Sequence, residues 1–215
     1  MAACQHGEMS ERTRVGVVLF EGFELLDVCG PVELLAGLPE YFDVELVGPA
    51  KGPVASAQGS LVMADSAYAE ALAPEILLVP GGIGTRALVG EPGFLDWLRG
   101  WASSARLVAS VCTGSGLLAV AGLLDGYRAT SNKRAFAWAS AQGPGVEWVA
   151  EARWVEDRDR WTSSGVAAGM DMTLALIARL HGEEVATAVA DRVEYDWHRD
   201  PAWDPFAAKN GLAPG

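Results

Sequence analysis

The chain has 215 residues, 50% of them hydrophobic and 20% charged, which suits one folded domain with a full core and excludes a disordered chain. Its formal net charge of −12, from 16 Lys+Arg against 28 Asp+Glu, disfavours nucleic acid and anionic membrane surfaces as partners, since both are polyanions. No apolar run reaches the ~18 residues of a membrane span, and the polar start Met1–Ser10 has no apolar leader core, so a cytoplasmic protein is expected.

Residues 1–13 are expected as a loose tail, 14–193 as one domain and 194–215 as an extension. Val15 to Phe20 (VGVVLF) is an apolar, β-branched run, the pattern of a buried strand. A helix is expected over Pro31 to Ala36, with Pro at its first position. Phe42 to Val47 predicts a second strand. Ala55 to Met63 predicts a short extended segment or hairpin. Ile76 to Val79 is a third strand that runs straight into Pro80-Gly81-Gly82. Glu91-Pro92 opens a helix with Phe94, Leu95, Leu98 and Trp101 on one face.

Leu107 to Val111 is the next strand, followed by Cys112-Thr113-Gly114-Ser115-Gly116 and an apolar helix. Gly122 and Asp125-Gly126 turn the chain, and Tyr127 to Ser131 is short and extended. Asn132 is placed to cap a helix to about Ala141. Two short runs around Asp157-Arg158-Asp159 predict a hairpin on the sheet edge. Val166 to Leu180 and Glu183 to Val193 are helical. The extension carries Trp197, Trp203 and Phe206, and its aromatic content predicts docking on the domain or on a dimer partner. Strands alternating with amphipathic helices predict an α/β fold with a mostly parallel sheet covered on both faces.

In such sheets ligands collect at the carboxyl ends of the strands. Asp27, Gly81-Gly82 and Cys112 all fall there. Strand, sharp turn and helix with a thiol at the turn is the layout of a nucleophile elbow. A thiol at a helix N-terminus is drawn toward thiolate, whereas a core cysteine is inert, and the local pattern fits both. Asp27 fits a helix cap or a buried carboxyl group facing Cys112, where burial would let it hold a proton near neutrality. Gly82 fits a plain turn or a backbone N–H aimed, with that of Thr113, at a reacting atom. Thr113 could equally cap the helix after Cys112. Cys4, Cys29 and Cys112 are an odd set without CxxC, which argues against disulfides and zinc; no metal or cofactor is expected.

Several blocks resemble the ThiJ/PfpI superfamily: Leu26-Asp27-Val28-Cys29-Gly30-Pro31, Val79-Pro80-Gly81-Gly82, Ser110-Val111-Cys112-Thr113-Gly114-Ser115, the segment from Ala121 to Thr130, and that from Thr162 to Asp171. They stand in family order across about Val15 to Val193. The resemblance implies a flavodoxin-like, glutamine-amidotransferase-like three-layer sandwich and a homodimer. Within the superfamily, the motifs look most like isocyanide (isonitrile) hydratases and the amidase-like half of AraC-type regulators. By that resemblance Cys112 is the nucleophile, Asp27 its acidic partner, Thr113 the residue after the cysteine, and Gly82 the glycine whose N–H faces the site.

Many members place a histidine where this chain has Asn132. Asn132 cannot act as a base; it fits an orienting hydrogen bond or a helix cap. A cysteine with a carboxyl group suffices to hydrate a small isonitrile, so that activity is the leading expectation. A cysteine-dependent amidase, a glyoxalase-like enzyme, and a redox or small-molecule sensor using Cys112 are the alternatives.

Overall fold

The computed structural model describes residues 12–212. Strand β1 (Thr13–Val18) leads into helix α1 (Leu25–Ala36), then β2 (Phe42–Gly48). A hairpin of β3 (Gly52–Ala55) and β4 (Leu61–Ala64) precedes β5 (Ser66–Ala67) and β6 (Ile76–Val79). Helices α2 (Thr85–Leu88) and α3 (Pro92–Ala102) come before β7 (Leu107–Ser110), which turns into α4 (Gly114–Val120). β8 (Arg128–Ala129), α5 (Phe136–Ser140) and β9 (Glu147–Trp148) lead to the hairpin β10 (Trp154–Asp157) and β11 (Arg160–Ser163). Helices α6 (Ala168–His181), α7 (Glu183–Arg192) and α8 (Pro205–Lys209) follow. No helix among the described residues is long and apolar enough to cross a membrane.

Seven strands form one sheet in the order β10-β11-β7-β6-β1-β2-β5, parallel except for the edge strand β10. β6 and β7 are wholly apolar but for Ser110, because both faces of each are covered. The β1-α1-β2 crossover moves one way along the sheet and β6-α3-β7 moves the other. Right-handed crossovers then put α1 and α3 on opposite faces. On one side α1 packs against α6. The contact is close at Gly30, where an added Cβ would lie 2.7 Å from Met170 Cγ. On the other side Trp101 of α3 covers Gly16, whose missing Cβ leaves room for the indole. The change of winding direction between β1 and β6 opens a crevice at their carboxyl ends, the place for a ligand in this architecture.

Four expectations need correction. The domain begins earlier than residue 14: Thr13 is buried and opens β1, while residues 1–11 of the expected tail, with Cys4 and His6, lie outside the described residues. α1 starts at Leu25, so Pro31 sits inside it. Proline there forgoes only one N–H bond, and Gly30 before it relieves the usual crowding. The helix expected from Asn132 is shorter and starts at Phe136; a tight turn over residues 133–135 intervenes. α6 starts at Ala168, because Val166 adopts a left-handed φ of 39° that breaks the helix.

The residues after α7 return to the domain through a buried charge cluster. Arg153 Nε and Nη2 donate to Asp171 Oδ2 at 2.7 and 2.6 Å. Asp171 Oδ1 accepts from Tyr195 Oη and from the His198 N–H, each at 3.0 Å. The Arg153 N–H donates to Pro201 O at 2.8 Å, and Asp204 lies 3.9 Å from its guanidinium. Removing the arginine would leave Asp171 buried beside no cation. Arg153→Met is expected to cost about 3–5 kcal/mol in urea unfolding, with the segment after residue 193 becoming protease-sensitive first.

Candidate active site

Cys112 follows β7 with φ at 58°, a left-handed conformation on a non-glycine residue. Such backbone costs on the order of 1–3 kcal/mol and persists only where neighbours hold it. Here they do. The Cys112 N–H donates to the carbonyls of Ser163 and Ser164, both at 3.2 Å. Its C=O accepts from Ser131 Oγ at 2.9 Å and Ser115 Oγ at 3.1 Å. Both hydroxyls are buried. The elbow is therefore clamped from the β11 end and from the segment after β8. α4 approaches β6 so closely that a Cβ on Gly114 would lie 2.2 Å from Val79 O.

Asp27 lies in the first turn of α1 and is fully buried. It is not the cap residue, which is Glu24. Its Oδ2 accepts from the Gly81 N–H at 2.9 Å; Oδ1 is buried and has no hydrogen-bond partner. Burial pushes the Asp27 carboxyl up to about 7, and the charge of Glu24 adds to the rise; the Gly81 N–H and the Cys112 side chain pull the other way. With Oδ2 engaged by a donor, the proton of the neutral acid belongs on Oδ1.

Burial also raises the Cys112 thiol, and the Asp27 carboxylate raises it further. The Thr113 N–H, the Asn132 side chain and the Thr113 hydroxyl favour thiolate but do not outweigh them. The expected drift toward thiolate at a helix N-terminus is thus overturned: α4 has seven residues, and the sulfur is desolvated beside an acid. The two groups titrate as a pair. Near neutrality the pair sheds one proton, and the one left behind is shared between oxygen and sulfur.

Gly81 and Gly82 serve the pair differently from the expectation. A Cβ on Gly81 would fall 2.5 Å from Thr113 N and 2.8 Å from Cys112 Cβ, so this position has room for hydrogen only. The Gly82 N–H is not free: it donates to Thr113 Oγ1 at 3.0 Å. The cause is the bridge between Gly82 and Phe23 and the bond from Glu24 N–H to Gly81 O, which fix how the loop faces the elbow. Thr113 Oγ1 thus anchors this loop. The donor left beside the sulfur is the N–H of Thr113.

Asn132 takes both of the parts considered for it. Its Oδ1 accepts the Ala135 N–H at 3.1 Å, as a cap does, and its side chain hydrogen-bonds the Cys112 sulfur. Gly165 makes this possible, since a Cβ there would lie 2.1 Å from Asn132 Nδ2. The two described histidines stay away. His181 stacks on Tyr41 and packs edge-on to Phe42, and His198 lies against Trp203. Among the described residues no cluster of three or more His, Cys, Asp or Glu could hold a metal ion.

Cys112 opens into a cleft of about 430 Å³. Glu24, Ile83, Arg86, Arg134 and Trp138 line it and were not picked out from the sequence as site residues. Arg86 follows the Gly81-Gly82 turn closely, and a cation just beyond a strand's carboxyl end was the available signal. Trp138 was assigned to packing, and its cleft-facing side depends on the shortened helix α5.

The DJ-1/PfpI family model matches residues 13–179. The isonitrile hydratase of Pseudomonas putida is 35% identical over 184 residues, covering 85% of this chain and 78% of that protein. The HTH-type transcriptional regulator GbdR of Pseudomonas aeruginosa is 32% identical over 187 residues, again 85% of this chain but 50% of the regulator. The chain thus spans half of that regulator's length. Among solved structures, a ThiJ/PfpI family protein from Pseudomonas syringae superposes with a TM-score of 0.78 at 28% identity, covering 91% of this chain and 82% of that one. Drosophila melanogaster DJ-1beta shares the fold with a TM-score of 0.75 at 22% identity, covering 87% and 100%. With a matching model over most of its length and this fold around the elbow cysteine, the chain belongs to the DJ-1/PfpI family.

Proposed function

We propose that the protein is a cysteine-dependent hydratase that adds water to a small isonitrile and releases an N-substituted formamide. The observation that carries this reading is the buried Asp27 carboxyl beside Cys112, held near neutrality in its protonation, with no imidazole approaching among the described residues. The similarity to the Pseudomonas putida isonitrile hydratase supports it.

Cys112 thiolate attacks the terminal isonitrile carbon. The electron pair that develops on that carbon takes the proton of Asp27, and a thioimidate forms. Asp27, now a carboxylate, draws a proton from water as its oxygen adds to the same carbon. The imidate nitrogen is protonated in this step. The tetrahedral adduct then collapses: the C–S bond breaks, thiolate leaves, and the hydroxyl proton returns to Asp27. One water is consumed, and both side chains end as they began. A peptidase would need the leaving amine protonated and an oxyanion held by two N–H donors, and the Gly82 N–H is already committed to Thr113.

A second reading is a binding role without turnover, favoured by the match to a transcriptional regulator over half of its length. The assay separates the two. Purified protein mixed with alkyl and aryl isonitriles is expected to yield formamides, and Cys112→Ser to yield none. No turnover with any of them, while the Cys112 thiol remains titratable, would favour the binding role.

The protonation of the pair predicts the pH profile. The reactive form is thiolate with neutral acid, which exists once the pair has lost one proton and vanishes when it loses the second. kcat/KM is expected to rise through about pH 7, the value set at Asp27, and to fall at alkaline pH. A profile flat from pH 5 to 9 would remove Asp27 from the chemistry.

Asp27→Asn is expected to lower kcat/KM about 10²–10⁴-fold. Its effect on stability has the opposite sign. The folded state raises the Asp27 pKa above its unfolded value near 3.8, so folding favours the neutral acid. That contribution is complete below about pH 4 and is lost as pH rises to about 7. Above it, wild type keeps a buried carboxylate that Asn lacks. The variant is therefore expected to melt higher than wild type at pH 8, with the advantage shrinking toward pH 4.

A further inference from the structure

The hydration chemistry uses the inner end of the cleft. Its outer part carries two cations that this chemistry does not need. Arg86 and Arg134 both line the cleft with Cys112. The chain has 28 acidic residues against 16 basic ones, yet among the described residues neither arginine forms an ion pair. On so acidic a protein, two unpaired cations in one cleft form a local field opposite to that of the whole surface.

Arg86 is also held in place. Its guanidinium carbon lies 3.5 Å from the centre of the Trp138 ring, and Nη1 donates to Thr85 Oγ1 at 2.8 Å. Thr85 is itself fully buried and donates to Gly82 O at 2.8 Å. The guanidinium is thus tied to the loop that carries the catalytic turn. One face rests on the indole and one nitrogen is engaged, which leaves other N–H donors of the planar fork for a ligand. The charge of Arg86 and the Cys112 thiolate act on one another, so the two groups share a site. Glu24 is the opposing charge in the cleft, but its Oε1 accepts from Gln58 Nε2 at 2.6 Å on the α1 side. Ile83, 66% exposed, and the Trp138 ring supply apolar walls.

We propose that the cleft selects small molecules bearing a carboxylate, which Arg86 anchors through its guanidinium fork and Arg134 assists, while an apolar body lies along Ile83 and Trp138. This rests on the cleft being the substrate site of the hydratase reading, and it narrows the substrate to a carboxylated isonitrile. A preformed guanidinium on an aromatic platform matches two carboxylate oxygens side by side. It acts on binding; Arg86 is a specificity residue and takes no part in the proton transfers.

The test uses the full chain and does not depend on turnover. Cys112 is alkylated with iodoacetate or with iodoacetamide, and the adduct is assigned by mass spectrometry so that Cys4 and Cys29 do not count. The iodoacetate-to-iodoacetamide rate ratio, divided by the same ratio for glutathione, is expected to exceed unity by about tenfold or more. It is expected to fall toward unity in Arg86→Gln, and in wild type as salt is raised. Benzoate is expected to protect Cys112 from iodoacetamide, and inorganic phosphate at equal concentration not to. A normalised ratio at or below one, or protection by phosphate alone, overturns the proposal. Should Arg86→Gln fail to fold, Arg134→Gln and the salt series carry the same comparison, and a ratio unmoved in both overturns it.

Turnover then separates this proposal from the reaction it rests on. 4-Isocyanobenzoate is expected to show a KM about tenfold below that of its methyl ester at similar kcat, a preference that collapses in the arginine variant. A high alkylation ratio with neither compound hydrated removes the hydratase and keeps the carboxylate site. Equal KM values for acid and ester, with a normalised ratio of one, keep the hydratase and remove the carboxylate site.

Discussion

The hydrogen bond from the Gly81 N–H to Asp27 Oδ2 joins segments that are 54 residues apart. It fixes the carboxyl at the end of β1 against the loop at the end of β6, and Cys112 stands at the end of the strand beside that. Burying a carboxyl group with a single donor is costly unless the group is neutral. The fold accepts that cost and holds Asp27 near its own midpoint at neutral pH. Everything distinctive in the site follows: an acid poised to give up a proton, a thiol that ionises only in concert with it, and no need for an imidazole.

The strain at Cys112 depends on the same convergence. A left-handed φ on a cysteine would relax if its peptide groups were loose. The carbonyls of Ser163 and Ser164 take its N–H, and the Ser115 and Ser131 hydroxyls take its C=O. Three of these four residues lie beyond α4, so the elbow is held chiefly by later parts of the chain. Asn132 and Gly165 belong to the same later segments and act on the sulfur itself or make room for the group that does. The C-terminal half of the domain therefore works as a brace for a nucleophile that the N-terminal half supplies with its acid.

The electrostatics separate into an inner and an outer zone. Inside, one proton is shared between oxygen and sulfur in a desolvated pocket, where charge is dear. Outside, Arg86 rests on Trp138 and Arg134 stands in the same cleft, against the sign of the net charge. Thr85 and Thr113 link the zones through hydroxyl bonds to Gly82 and Arg86. A ligand gripped at the outer zone would lie within reach of the thiol, since both face one cleft.

The chain's periodicities settled much of the architecture. Continuous apolar runs at β1, β6 and β7 could only be strands covered on both faces, and the helices between them required a parallel sheet. The layout of Cys112 before small residues and an apolar helix marked the elbow, and position alone put Asp27 and Gly81-Gly82 at neighbouring strand ends. What the sequence could not decide were interactions made across long separations. Whether the Gly82 N–H is free depends on where Phe23 and Thr113 come to rest. Whether Cys112 leans toward thiolate depends on how deeply the sulfur is buried and on how near an acid lies. Arg86 and Trp138 are 52 positions apart and become one platform only when α2 and α5 meet above the cleft. Local pattern fixes the elements because backbone propensity and burial periodicity are local. Protonation, strain and ligand preference were left to the tertiary structure, because each is a sum over neighbours that the chain order does not name.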